Sequence, residues 1–333
     1  MQDFMSRIAV VTGGGTGMGR ELVRQLIAEG CHVATCDVST SALEKTRQLC
    51  EAAAKPQGTL LSAHLADVSD ETQVQRVCAE VAERHNTGQI NLLFNNAGIG
   101  GGGSFVADDR RQWEKTFNVC WGGVYNCTRA FMPMLMQADA GHIINTSSVN
   151  GFWASIGSGL PHSAYSAAKF AVKGFTEALI IDLRLNAPHV KCSVVMPGHI
   201  GTSIAANSRK IHTGNHTDVL TPAEIARARV RIAAMRPEAA QLSDLEIQHL
   251  TFERERTFME DAPMTAAAAA TIILDGVKAG RWRILVGHDA ERLDAMVRQS
   301  PEAAYETDFF QRVSAEIGWR LGAADGTRPG SKL

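Results

Sequence analysis

"VVTGGGTGMGR", residues 10–20, decides how the rest of the chain is read. It overlaps a short apolar run, "RIAVVT" (7–12), and leads into a helix-length segment at 17–29. The glycines do not fit G-x-G-x-x-G. They fit T-G-x-x-x-G-x-G, with Thr12, Gly13, Gly17 and Gly19. Glycine in such a turn admits positive φ and lets the backbone approach a pyrophosphate. The helix N-terminus that follows offers unpaired N–H groups and a positive dipole end. Gly13, Thr16, Gly17, Met18 and Gly19 are therefore candidate cofactor contacts.

Outward from this loop, apolar runs alternate with helical patterns for about two hundred residues. Strands are expected at 7–12, 32–37, 59–65, 91–95, 142–147 and 190–196, and helices at 17–29, 40–54, 70–86, 109–137 and 163–186. The strands are continuous apolar runs, as in a parallel sheet covered on both faces. The expected fold is α/β: a single Rossmann-type, doubly wound parallel sheet with helices on both faces. Past Pro197 the rhythm breaks, and 203–264 holds no convincing strand. It does hold two helix starts, Thr221-Pro222-Ala223-Glu224 and Ser243-Asp244-Leu245-Glu246, each with a capping-box glutamate. We expect a helical lid inserted at 203–264, a close-packing helix at 265–280 and a last strand at 283–287, all within one domain spanning 1–287. Residues 288–333 are expected to form a C-terminal helical extension whose final twelve residues, "GAADGTRPGSKL", are disordered.

The second strand ends at Asp37, where a carboxylate can accept hydrogen bonds from an adenosine ribose and repels a 2′-phosphate. No basic residue stands at 38–44, so NAD is favoured over NADP. The 333 residues are 45% hydrophobic and 20% charged with a formal net charge of −2, a globular composition that suggests neither a nucleic-acid nor an anionic-membrane partner. Seven cysteines without a CxxC pair read as reduced thiols in a cytoplasm, with no metal-ligand spacing. No apolar run reaches the ~18 residues of a membrane span, and a core strand beginning near Ile8 leaves no signal-peptide pattern.

Seven short segments stand in a fixed order: "TGGGTGMG" (12–19), "LADV" (65–68), "NNAG" (95–98), Asn118 in "FNVCWGG", Ser148 in "INTSS", "YSAAK" (165–169) and "PGHIGT" (197–202). With them the chain resembles the short-chain dehydrogenase/reductase family over roughly residues 5–202, and more weakly at 265–287. The resemblance implies an NAD(P)-dependent alcohol/carbonyl oxidoreductase with Asn118, Ser148, Tyr165 and Lys169 as a catalytic tetrad. It sets Asp67 and Val68 at the adenine, and Asn95, Ala97 and Gly98 beside the cofactor ribose. Pro197, Gly198, Ile200 and Thr202 would hold the nicotinamide end.

Chemistry explains the pairing of Tyr165 with Lys169. A free tyrosine has a pKa of roughly 10, too high for a base near neutrality. Four helical positions stack the ammonium under the phenol, where it favours the phenolate. Ser148, at a strand's carboxyl end, can hydrogen-bond the substrate oxygen where charge develops. Asn118, in a helix, suits a local kink and, by the resemblance, a water linking Lys169 to solvent.

Seventeen positions separate Ser148 from Tyr165, longer than the family pattern. That extended loop carries Phe152, Trp153, Ile156 and Leu160, which suggest an apolar pocket and an apolar alcohol or carbonyl substrate. The helices at 163–186 and 265–275 are rich in small residues and suit a symmetric homodimer or homotetramer. Two other readings stay open. A nucleotide-sugar epimerase or dehydratase shares Tyr-x-x-x-Lys and a glycine loop but gives no net NADH. A non-catalytic NAD-binding regulator would not need the whole tetrad.

Overall fold

The structure is a computed structural model and describes residues 3–156, 160–233, 236–306 and 308–318. The tail expected to be disordered, 322–333, lies outside the described residues. Nine strands run in chain order as β1 (Ile8–Thr12), β2 (His32–Asp37), β3 (Leu61–Leu65), β4 (Leu92–Asn95), β5 (Gly141–Thr146), β6 (Val190–Pro197), β7 (Ile200–Gly201), β8 (Met264–Thr265) and β9 (Arg283–Val286). Seven of them form one sheet in the order β3-β2-β1-β4-β5-β6-β9, every neighbouring pair parallel. Register runs from Ile8↔His32 to Thr12↔Cys36 on one side of β1 and from Ala9↔Leu92 on the other. Strand order therefore reverses between β1 and β4, the switch point outside whose carboxyl ends ligands bind in open α/β sheets.

Successive strand residues point to opposite faces, and both faces are buried. Val10, Ala34, Leu93 and Ile143 pack beneath α3 (Glu71–Arg84), α5 (Gly123–Met136) and α6 (Ser163–Asn186). Ala9, Val11, Val33 and Phe94 face α1 (Gly17–Ala28) and α10 (Ala266–Lys278). The alanines of α10 let it approach closely: Ala269 and Ala270 are fully buried. Helix starts follow their side chains. Ser39 caps α2 (Thr40–Ala52), Asp70 caps α3 through the N–H groups of Thr72 and Gln73, and Thr265 caps α10.

Two features depart from the sequence reading. The helix expected over 109–137 is α4 (Arg110–Phe117) and α5 joined by a π turn, Asn118–Gly122, in which the Gly123 N–H donates to the Asn118 carbonyl. The segment 203–264 was expected to lack strands, yet Met264 begins β8, which pairs with β7. Both ends of the excursion are thus tied together. Between them lie α7 (Ile204–Thr213), α8 (Pro222–Ala233) and α9 (Asp244–Glu260). Both expected capping boxes form: Thr221 N–H donates to Glu224 at 2.8 Å and Ser243 N–H to Glu246 at 2.7 Å. Ala228, Ile232, Ala239 and Ile247 give this segment a small core of its own. After β9 come α11 (His288–Gln299) and α12 (Phe309–Ile317).

Candidate active site

The glycine loop lies at the switch point. Thr12 Oγ1 accepts the N–H groups of Asn96 and Ala97 at 2.9 and 3.0 Å, tying the end of β1 to the turn after β4. Gly13 has φ +68°, and a Cβ there would come within 2.9 Å of Ala97 Cα. Gly17 has φ +53°, and its Cβ would meet Thr202 Cγ2 at 3.2 Å. A side chain at either position would close the space between the loop and its neighbours. Thr16, the N-cap of α1, makes no side-chain capping bond, and the first turn of α1 carries no acidic residue. Its hydroxyl instead accepts from Asn207 of α7 at 3.1 Å. Met18 packs partly buried against the core beneath. An uncapped helix N-terminus beside a bare glycine turn fits the pyrophosphate of a dinucleotide.

Ser148, Tyr165 and Lys169 meet two strands away. Ser148 stands just past the end of β5, 8% exposed, and accepts the Asn150 N–H at 3.1 Å. Its hydroxyl stands beside the Tyr165 phenol and favours the ionised form. Lys169 is buried, donates to the Thr146 carbonyl at 2.8 Å, and holds its Nζ 5.3 Å from the Tyr165 ring centroid. Burial pushes the phenol above its usual range, with the Ser148 hydroxyl opposing. Burial also lowers the Lys169 ammonium. Both directions describe the protein alone, and a cationic ring bound alongside would favour the phenolate.

Asn118 does not join this cluster. It is exposed, and among the described residues its side chain has no hydrogen-bond partner. Two positions on, a helix has turned roughly 200°, and there Cys120 is fully buried. Cys120 Sγ contacts the backbone of Ile99 at 3.2 Å and faces the same point beside Gly98 as Lys169 Nζ. The kink expected at 118 is present; the inward side chain is Cys120, a residue the sequence reading passed over.

The remaining cofactor candidates divide. Asp37 accepts the N–H groups of Gly15 and Ser39, both at 3.0 Å; burial raises its carboxyl and those N–H groups oppose the rise. Arg20, one turn into α1, donates to the Gly15 carbonyl and Thr46 Oγ1, so a guanidinium does stand near this strand tip. Asp67 accepts from Ser69, and Val68 is buried with its carbonyl bound by Asn126. Asn95 is committed to the core, donating to Thr128 and Asn145 at 3.0 and 2.8 Å, so its side chain does not reach a ribose. Pro197 ends β6, Ile200 is buried, and Thr202 touches the glycine loop. Asp289 of α11 packs beside Gly198 and accepts the His199 N–H at 2.6 Å.

The sequence model of the family described as short chain dehydrogenase matches residues 7–212. The chain is a short-chain dehydrogenase/reductase. It is 32% identical over 298 residues to a Mycobacterium tuberculosis protein that carries the oxidoreductase name SadH, covering 90% of this chain and 92% of that one. It is 33% identical to the levodione reductase of Leifsonia aquatica, covering 62% of this chain and 74% of that one. Against the meso-2,3-butanediol dehydrogenase of Serratia marcescens the figures are 35%, 54% and 66%. A solved short-chain dehydrogenase/reductase from Burkholderia phymatum in complex with NAD superposes over the full length of both chains with TM-score 0.69 and 29% identity. The family binds NAD(P) and acts on CH–OH groups as an oxidoreductase.

On the substrate side, this dehydrogenase/reductase departs from the expected apolar pocket. Trp153 is 1% exposed and turned away, packed on Phe309 and stacked on Phe310. Its indole N–H donates to the Ala304 carbonyl at 2.7 Å, and the Ala154 N–H donates to the Tyr305 hydroxyl at 3.0 Å. Phe152 joins the same cluster beneath the Arg283 guanidinium. The buried indole thus meets its N–H requirement on the tail. Ile156 and Leu160, both half-buried, flank residues outside the description. The opposite wall is the glycine run 100–103. The Ser163 N–H donates to Gly103, the Gly100 N–H to Ser208 of α7, and His212 bonds the Gly100 carbonyl at 2.8 Å.

Proposed function

We propose that this enzyme interconverts a secondary alcohol and a ketone by hydride transfer with NAD, Tyr165 acting as the acid/base. The observation that carries the reading is the buried Lys169 ammonium, its Nζ 5.3 Å from the ring of a phenol that has the Ser148 hydroxyl beside it. When bound, the nicotinamide supplies the hydride acceptor or donor. Tyr165 takes the alcohol proton in oxidation and returns it to the substrate oxygen in reduction. Lys169 stabilises the phenolate through space, and Ser148 holds the substrate oxygen as charge develops. The water link to Lys169 expected of Asn118 is not part of this proposal, since the Asn118 side chain is exposed and the one facing Lys169 is Cys120.

Asp37 at the end of β2 supports NAD over NADP, because its carboxylate suits a ribose hydroxyl and repels a phosphate. Comparing kcat/KM for the two cofactors tests this, and a preference for NADPH assigns Arg20 the phosphate instead. The apolar substrate loses its main support once Trp153 is committed to the tail. The names of two relatives, one for 2,3-butanediol and one for levodione, support a secondary carbinol or ketone bearing a further oxygen. Tyr165→Phe tests the chemistry: NADH binding persists while kcat falls about 10²–10⁴-fold. Retention of more than about a tenth of wild-type kcat rules the acid/base role out.

A further inference from the structure

Tyr165 and Lys169 share a face of α6, and His162 is the residue just before that helix. The Tyr165 ring has both His162 and Lys169 as neighbours. Lys169 Nζ lies 5.3 Å from its centroid, and the His162 ring centroid lies 4.8 Å away at an interplanar angle of 36°. The ammonium side is the buried side, toward Gly98 and the strand ends. The imidazole side is the other, at the start of α6, where the glycine wall 102–103 is hydrogen-bonded to the helix N-terminus. His162 is half-buried, and among the described residues neither ring nitrogen has a hydrogen-bond partner. The imidazole edge is open to a ligand oxygen beside the reacting phenol.

We propose that His162 hydrogen-bonds a second oxygen of the substrate, carried on the carbon next to the reacting one, so that the substrate class is a vicinal hydroxyketone, diketone or diol. With the ring centroids 4.8 Å apart, an oxygen held by the phenol and a second one held by the imidazole are close together, as they are on neighbouring carbons. A hydrogen bond of about 2.8 Å at each end accommodates that O–C–C–O unit. Burial holds the imidazole neutral, with its pKa lowered to about 4, so it offers both a donor and an acceptor nitrogen at working pH. It can therefore serve a hydroxyl or a carbonyl.

The inference rests on the assignment of Tyr165, and its test separates the two. The probes are 3-hydroxybutan-2-one and butan-2-one, reduced with NADH. Wild-type kcat/KM should favour the hydroxyketone by about tenfold, the factor of one neutral hydrogen bond. His162→Phe keeps a ring against Tyr165 and removes both nitrogens. It should cost about tenfold on the hydroxyketone and less than about twofold on butan-2-one. His162→Gln should restore part of the loss. A wild-type enzyme indifferent to the hydroxyl, or an equal loss on both probes, overturns the role of His162. Tyr165→Phe is assayed in parallel. If it is inactive while the probe preference is flat, only the His162 role fails; if it stays active, the acid/base reading fails first.

Discussion

At the scale of single residues, the site turns on which side chains face Lys169. Because Asn118 is exposed and Cys120 is buried beside the lysine, Asn118→Ala should leave kcat within about threefold of wild type, far short of the loss expected for a general acid–base residue. A loss beyond about a hundredfold in steady-state assays would return Asn118 to the machinery. Lys169 sets the pH dependence. Burial raises the Tyr165 phenol, and oxidation needs the phenolate, so the oxidation rate climbs with pH while reduction, which needs the phenol, climbs as pH falls. Removing the ammonium in Lys169→Met should move the rising limb of the oxidation profile about 1–3 pH units higher, the reach of a nearby charge. An unmoved limb in a kcat/KM–pH series would mean that the lysine positions the cofactor without tuning the phenol.

At the scale of elements, the tail after β9 grips the loop that leaves Ser148. The two contacts differ in kind. Trp153 is a buried anchor, and Trp153→Ala should lower stability by about 3–5 kcal/mol, read by denaturant unfolding. Tyr305 is 62% exposed, and its hydroxyl does little but hold the Ala154 N–H. Tyr305→Phe should leave Tm within about two degrees and raise the KM for substrate several-fold, with the KM for NADH unchanged; a substrate KM equal to wild type would show that the loop is placed without it. None of this was legible beforehand. The apolar character of Phe152 and Trp153 is plain in the sequence, but their partners lie some 150 positions away, and periodicity reports only neighbours. The seven sheet strands were legible because each is a local apolar run with its own flanking turn signals. The β7–β8 pair was not, since two residues have no period. The aim of Asn118 escaped for a related reason: a motif names a residue type, while a π turn decides which side chain faces in.

At the scale of the whole molecule, acid is the expected weakness. His142 is buried against Ser193 at 2.7 Å, and burial lowers its pKa to about 3; burial likewise holds His85 and His162 at about 4. The unfolded chain binds these protons near pH 6.5 and the folded chain does not. Stability is therefore full above pH 6.5 and falls as pH drops toward 4, each histidine contributing up to about 1.4 kcal/mol per pH unit. Urea midpoints between pH 7.5 and 4.5 check this, and His142→Gln should flatten the decline; a slope unchanged in that variant would place the acid sensitivity elsewhere. Among the described residues no helix is long and apolar enough to cross a membrane. Exposed Phe170, Ile181 and Leu185 on α6 suit the proposed association with a second copy, which light scattering measures. The β7–β8 ribbon has a consequence of another sort. Because the chain leaves at Gly201 and re-enters at Met264 through adjacent strands of their own two-stranded ribbon, the segment between them is a cassette closed at its base. Its outer part, α8 and α9, can be exchanged or drift while α7 keeps its bonds to Thr16 and Gly100, so new substrates can be acquired without relearning the reaction.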